Sequence, residues 1–107
     1  MQNDIQEKAV YNYPLNDNIY NEKPEAEATR AGFGRGLKAA GEADERVVGL
    51  CADLVESVKM DAFAKAFPER YIEVGIAEQN LATVASGLAR AGKIPFAASY
   101  ASFHPGR

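Results

Sequence analysis

Cysteine occurs once in the 107 residues, as Cys51, and histidine once, as His104. A single cysteine cannot close a disulfide within the chain, and one residue of each kind cannot build the His/Cys set of a structural zinc site. No apolar run approaches the roughly 20 residues needed to cross a bilayer. The first ten residues, MQNDIQEKAV, lack the basic flank and apolar stretch of a secretory signal. Basic charge is also short: 12 Lys and Arg against 15 Asp and Glu leave a net charge of −3, which disfavours a nucleic-acid partner. Repeats and low-complexity tracts are absent. These shortages read as a soluble chain from a reducing, cytoplasmic setting, with neither membrane nor nucleic acid among its partners.

Apolar residues make up 47% of the chain, enough for the modest core of one domain. Residues 1–25 differ from the rest, being rich in Asn, Asp and Glu. There Tyr11, Tyr13 and Leu15 alternate as in an extended arm with one packed face. From Ala26 the pattern turns helical, with Ala26, Phe33, Leu37 and Ala40 on one face and Gly41 as its stop. RVVGLCADL, residues 46–54, reads as a strand buried on both faces with Asp53 at its carboxyl end. MDAFAKAF, residues 60–67, reads as a short helix that Pro68 ends. RYIEV, residues 70–74, is a second short strand.

EQNLATVASGLARA, residues 78–91, is the clearest helix. Ala77, Leu81, Val84 and Leu88 form its apolar stripe, and Ala82, Ala85, Ser86 and Ala89 are small enough for close packing. Gly92 caps it and Pro95 prevents its continuation. IPFAASYASF, residues 94–103, is a third apolar strand running into a loop. Helices alternating with strands predict an α/β fold, a partial parallel sheet with helices on both faces. Ligands gather at the carboxyl ends of such strands, where Asp53, residues 75–78 and residues 100–103 fall.

The glycines of AGFGRGLKAA, residues 31–40, do not match a dinucleotide fingerprint and follow no strand, so they are expected to let a helix pack closely. Cys51 lies inside an apolar strand and is expected to behave as a small hydrophobe. Glu78 is the informative acid. An acid in a first helical turn can simply complement the helix dipole. The flanks VGIA and LATVASGLA, however, are not surface sequence, and a carboxylate held among apolar groups is suited to sharing a proton with a ligand nitrogen.

RYIEVGIAEQNLATVASGLARAGKIPFAASYASF resembles the pyrimidine-binding domain of thiamine-diphosphate enzymes of the transketolase family. ATRAGFGRGL and RVVGLCADLVESVKMDAFAKAFPERY fit the same domain in the same order, so the likeness covers residues 26–107. The resemblance implies that Glu78 is catalytic: the family's glutamate bonds a ring nitrogen of the cofactor's aminopyrimidine and favours the imino form that activates the thiazolium carbon. By position it implies that Tyr100 and Phe103 line the aminopyrimidine pocket and that Asp53 and Leu54 touch the cofactor near a subunit boundary. It also implies that Arg30 and Ser57 bind a sugar phosphate, with His104 near a sugar hydroxyl. For each a plainer reading stands beside it: core packing for the aromatics, a turn for Asp53, a solvated charge for Arg30 and His104.

No GDG followed by a downstream Asn is present, so the resemblance assigns the diphosphate and its Mg2+ to a partner domain. The expected protein is an N-terminal piece of the second subunit of a split transketolase. It would move two-carbon ketol units between sugar phosphates as a dimer or heterotetramer with a diphosphate-binding subunit. The alternatives are 1-deoxy-D-xylulose-5-phosphate synthase, which shares VGIAEQ but typically follows it with His where this chain has Asn80, and a non-catalytic dimerisation module or inactive fragment.

Overall fold

The structure is a computed structural model and describes residues 15–107. Tyr11 and Tyr13 lie outside the described residues. Leu15 does not pack as the alternation predicted: it is 75% exposed, and Ile19 and Tyr20 nearby are exposed too. Short Asn-based turns occupy this stretch, with the Ile19 amide on the Asn16 carbonyl and the Asn18 amide on the Asn16 side chain. Asparagine side chains that bond their own backbone compete with strand formation.

The ordered elements alternate as predicted. They are α1 (Thr29–Ala43), β1 (Val47–Cys51), α2 (Asp61–Ala66), a 3-10 turn (Pro68–Arg70), β2 (Tyr71–Glu73), α3 (Glu78–Arg90) and β3 (Ile94–Ala98). The sheet order is β2-β1-β3, with both pairings parallel. Gly49, Leu50 and Cys51 face Tyr71, Ile72 and Glu73 on one side, and Val47 to Cys51 run beside Ile94 to Ala98 on the other. The central strand is buried at every residue, as its unbroken apolar run demands.

Strand alternation divides the core in two. Val47 and Cys51 point to a cluster with Leu37, Val58, Met60 and Phe63, backed by Phe33, Ala40 and Phe67 from α1 and the α2 region. Val48, Leu50 and Ala52 point the other way, to Leu81, Val84 and Leu88 of α3. Helices therefore cover both faces, the α/β arrangement expected. Arg70 locks the first layer at its amino-terminal edge. Its guanidinium lies 3.8 Å from the Phe67 ring centroid and donates to the Gly41, Asp44 and Val47 carbonyls at 3.0, 3.1 and 3.3 Å. A cation suits the Gly41 carbonyl because the last turn of a helix leaves its carbonyls without an intrahelical donor.

Several local expectations are corrected. α1 starts at Thr29, so Ala26 is not on its face, and it runs through Gly41 to Ala43. Gly41 is not the stop: it is buried, and a Cβ there would stand 2.7 Å from Phe63 and 2.8 Å from Phe67. Aromatic packing, not helix termination, selects glycine at that position. Only Gly34 of the AGFGRG run is buried, and a Cβ on it would collide with the Lys59 carbonyl, whereas Gly32 and Gly36 face open space. On α3, Ala82, Ser86 and Ala89 are exposed, and only Ala85 of the small residues packs on the sheet. Gly92 does cap α3. At φ 95° its amide meets the Ala89 carbonyl while the Lys93 amide reaches Leu88, closing the paired bonds of a Schellman end. No helix among the described residues is long and apolar enough to cross a membrane.

The glycines of α1 should therefore separate by sign. Gly34→Ala should lower unfolding stability by roughly 1–3 kcal/mol through overpacking. Gly32→Ala and Gly36→Ala should raise it by about 0.4–1 kcal/mol by restricting the unfolded chain. Denaturant midpoints of the three variants measure the split, and an equal loss at all three would contradict this packing.

Candidate functional site

Beyond their last paired residues, β1 and β2 stay joined for one more bond, from the Val74 amide to the Cys51 carbonyl at 3.0 Å. Both chains then turn through left-handed backbone, Asp53 at φ 59° and Gly75 at φ 73°. Glycine reaches that region freely, and aspartate is among the few other residues that tolerate it. The Ala77 amide closes on the Gly75 carbonyl at 2.8 Å, and α3 begins at the next residue with no side-chain cap at Ala77.

This bend delivers Glu78 to the inside. It is 8% exposed and is the buried charged side chain of the described core. Among the described residues no side chain or backbone amide donates to its carboxylate. It borders a cavity of about 490 Å³ whose walls are Ala52, Asp53 and Leu54 after β1, Ile76 and Gln79 beside it, and Phe103 and Arg107 from the loop after β3. A buried acid without a protein partner is costly unless something else meets it.

A second cavity of about 350 Å³ adjoins β3 and α1, lined by Thr29, Arg30, Phe33, Ser57, Val58, Ala98, Ser99, Tyr100 and Ala101. Arg30 donates to the Ser57 carbonyl at 3.3 Å, so the two residues meet through backbone. The Ser99 hydroxyl oxygen is buried there and lacks a hydrogen-bond partner. Tyr100 and Phe103 stack with ring centroids 5.8 Å apart, which joins the two cavities through one aromatic pair.

The structure thus brings Glu78, Asp53, Leu54 and Phe103 around one cavity and Arg30, Ser57 and Tyr100 around the other. His104 lines neither; it is half-buried and its amide bonds the Tyr100 carbonyl. A further hollow, of about 630 Å³, lies at the amino ends of the strands. Its Arg46 is paired with Asp44, whose carboxyl that bond holds down to about 2, and its Arg70 is committed to carbonyls and aromatic rings. The carboxyl rim, by contrast, holds an acid that no described residue pairs.

Glu73 carried no mark in the sequence beyond closing an apolar run, yet it is the best-connected acid of the rim. Its Oε2 accepts the Asp53 and Gly75 amides at 2.8 and 2.7 Å, and its Oε1 accepts the Tyr71 hydroxyl at 2.9 Å. Burial, with the bond to Glu73 second, pushes the Tyr71 hydroxyl up in pKa, so it remains a donor. Ile76 is 79% exposed in the middle of the motif and Ser99 is an orphan; neither fact follows from residue type. No group of three or more His, Cys, Asp or Glu able to hold a metal ion occurs among the described residues.

Comparison with known proteins gives four findings. The family model described as transketolase, pyrimidine binding domain, matches residues 25–105. A putative transketolase C-terminal section from Methanocaldococcus jannaschii is 47% identical over 78 residues, covering 73% of this chain and 25% of that protein. A 1-deoxy-D-xylulose-5-phosphate synthase from Halothermothrix orenii is 42% identical over 71 residues, covering 66% of this chain and 11% of that enzyme. Among solved structures, a split gene transketolase described as an inactive beta4 tetramer superposes with a TM-score of 0.69 at 51% identity. It is matched over 77% of this chain and 27% of its own. This chain therefore spans about a quarter or less of the length of these relatives.

Cys51 is fully buried, and desolvation pushes its thiol up in pKa. A thiol so placed is a poor nucleophile at neutral pH. Iodoacetamide should leave it unmodified in the native chain and label it once denaturant unfolds the protein. Mass spectrometry of the two samples checks this, and rapid native labelling would reopen a role for the thiol.

Proposed function

The chain belongs to the transketolase family as one of its pyrimidine-binding domains, and from that premise we propose that it is the cofactor-activating component of a thiamine-diphosphate-dependent ketol transferase. The observation that carries this reading is the buried residue Glu78 at the mouth of α3, whose carboxylate opens on the cavity and has no donor among the described residues. A cavity that sets Glu78 beside four apolar wall residues suits a flat heterocycle that brings a ring nitrogen. Ala52, Leu54, Ile76 and Phe103 would hold the ring by its faces and edges, and Asp53 would border it. When bound, thiamine diphosphate supplies a carbanion-stabilising centre. Glu78 supplies the carboxyl at the ring nitrogen, where proton transfer sets the cofactor's tautomer.

The same cavity offers one guanidinium, Arg107, and no metal-binding cluster. It does not fit a diphosphate with Mg2+, so on this reading those groups are held by a diphosphate-binding partner subunit in a dimer or heterotetramer. The exposed apolar side chains at the rim, Ile76 with Tyr100 and Phe103, give that partner an apolar surface to cover. The adjoining cavity is assigned to the sugar-phosphate substrate. Arg30 and Ser99 would meet its phosphate and hydroxyls, Ser57 would fix Arg30 through its carbonyl, and Tyr100 would form the wall. His104, beside Tyr100, is assigned to the outer substrate hydroxyls. Residues 26–107 would act as this domain, residues 1–25 as an arm against the partner, and the assembly would work in the cytoplasm on pentose-phosphate sugars. A second reading follows from the likeness to 1-deoxy-D-xylulose-5-phosphate synthase: the same Glu78 would serve an enzyme taking pyruvate as donor.

In the complex with its diphosphate-binding partner, Glu78→Ala should lower turnover by roughly 10²–10⁴-fold, the usual reach of a positioned acid or base. In the isolated chain, Glu78→Gln should leave the unfolding midpoint unchanged or higher, because a buried unpaired charge has been removed. A stabilising Glu78 together with unaltered turnover in the alanine variant would exclude the proposal. Arg30→Ala should raise KM for a phosphorylated donor by roughly tenfold or more with little change in kcat, as expected for a lost charge-assisted bond. Xylulose 5-phosphate with ribose 5-phosphate, compared with pyruvate as donor, separates the two readings.

A further inference from the structure

We propose that Glu73 is the positioning residue of this site: one carboxylate that ties the turn after β1 to the turn after β2 and thereby sets the floor of the Glu78 cavity. The two strands are parallel neighbours, so their carboxyl ends emerge side by side. After the last ladder bond, from Val74 to the Cys51 carbonyl, each chain leaves the sheet through a left-handed residue, Asp53 on one side and Gly75 on the other. The amides of those two residues have no strand partner. Both donate instead to the same oxygen, Glu73 Oε2, at 2.8 and 2.7 Å.

An amide side chain offers one acceptor oxygen where this arrangement uses two. An ionised carboxylate is acceptor-only on both oxygens and strengthens each amide bond through its charge. The second oxygen is held by the Tyr71 hydroxyl, and Tyr71 packs on the first core cluster. Core position is thus passed through one ring and one carboxylate to two loops. Those loops carry the facing walls, Asp53 and Leu54 on one side and Ile76, Glu78 and Gln79 on the other. The Gly75 turn also fixes where α3 begins, because the Ala77 amide closes on the Gly75 carbonyl immediately before Glu78. The hydrogen bonds of the Glu73 side chain go to the Asp53 and Gly75 amides and the Tyr71 hydroxyl, so it acts through the loops. The role it serves rests on the proposed function of Glu78; the clamp itself does not.

The test uses amide hydrogen exchange and NMR on this chain, then kinetics of the complex with its diphosphate-binding partner. Glu73→Ala should speed exchange of the Asp53 and Gly75 amides at least tenfold and shift the Ile76, Leu54 and Glu78 resonances, while Leu50 and Leu81 stay protected. Glu73→Gln should restore most of the protection, and Tyr71→Phe should fall between wild type and Glu73→Gln. In the complex, Glu73→Ala should cut kcat about tenfold or more with KM for the sugar donor little changed, and Glu73→Gln should recover part of it.

Unaltered exchange at Asp53 and Gly75, or faster exchange with no shift at Leu54, Ile76 and Glu78, overturns the inference. If Glu73→Ala unfolds the core, Glu73→Gln and Tyr71→Phe decide the same question by the same resonances. A wild-type complex without thiamine-dependent turnover refutes the proposed function, and the exchange data then still judge the clamp. Normal turnover in a complex whose Glu73→Ala amides have been freed refutes the positioning role and leaves Glu78 as proposed.

Discussion

Everything in this fold is arranged around β1, a strand with water on neither face. Val47 and Cys51 need one layer of cover, Val48 and Leu50 another, and parallel neighbours on both edges take up its backbone groups. A parallel sheet can be covered twice only if the connections cross over as helices, so α1 and α2 on one side and α3 on the other follow from the burial of one strand. The same requirement sends all three carboxyl ends to one rim. Loops that leave a common rim from neighbouring strands face each other, and the space between them is where the acid is found.

Glu78 carries the role proposed for that rim. The apolar stripe of α3, Leu81, Val84 and Leu88, must dock on the sheet, and docking it draws the first turn inward with the acid attached. Glu78 is buried as a residue, but its carboxylate opens on the cavity and accepts no bond from any described residue. Keeping it is intelligible where a ligand completes it. The relatives lie in a family of thiamine-diphosphate enzymes, and a ring nitrogen is the kind of partner such a carboxylate lacks. Glu73, a few residues away, is the counterpart: its carboxylate is saturated by protein donors and holds the loops in place.

Local sequence falls short at some residues for a consistent reason. By its local pattern Gly41 reads as a helix stop, which it is not, and the AGFGRG run reads as close-packing glycines, which holds at Gly34 and not at Gly32 or Gly36. What selects glycine at 34 and 41 is a neighbour far along the chain, the Lys59 carbonyl and the Phe63 and Phe67 rings. Likewise Arg70 looked like the start of a strand and is a clasp on three carbonyls of the first layer. Glu73 was invisible because its importance lies in which two amides converge on it. Apart from the Gly75 amide and the Tyr71 hydroxyl, each two residues from Glu73, these partners lie far along the chain.

The order of elements, the double burial of β1, the cap at Gly92 and the placement of Glu78 at a helix mouth were determined by the sequence itself, because apolar periodicity and glycine conformation act over a few residues. The motif around Glu78 was legible as a family resemblance for the same reason: it is contiguous. Which face of α3 stays exposed, the division of the rim into two cavities bridged by Tyr100 and Phe103, and the tying of two left-handed turns to one carboxylate were decided only by tertiary structure. Those features depend on distances between segments far apart along the chain, and such distances exist only after the layers have packed.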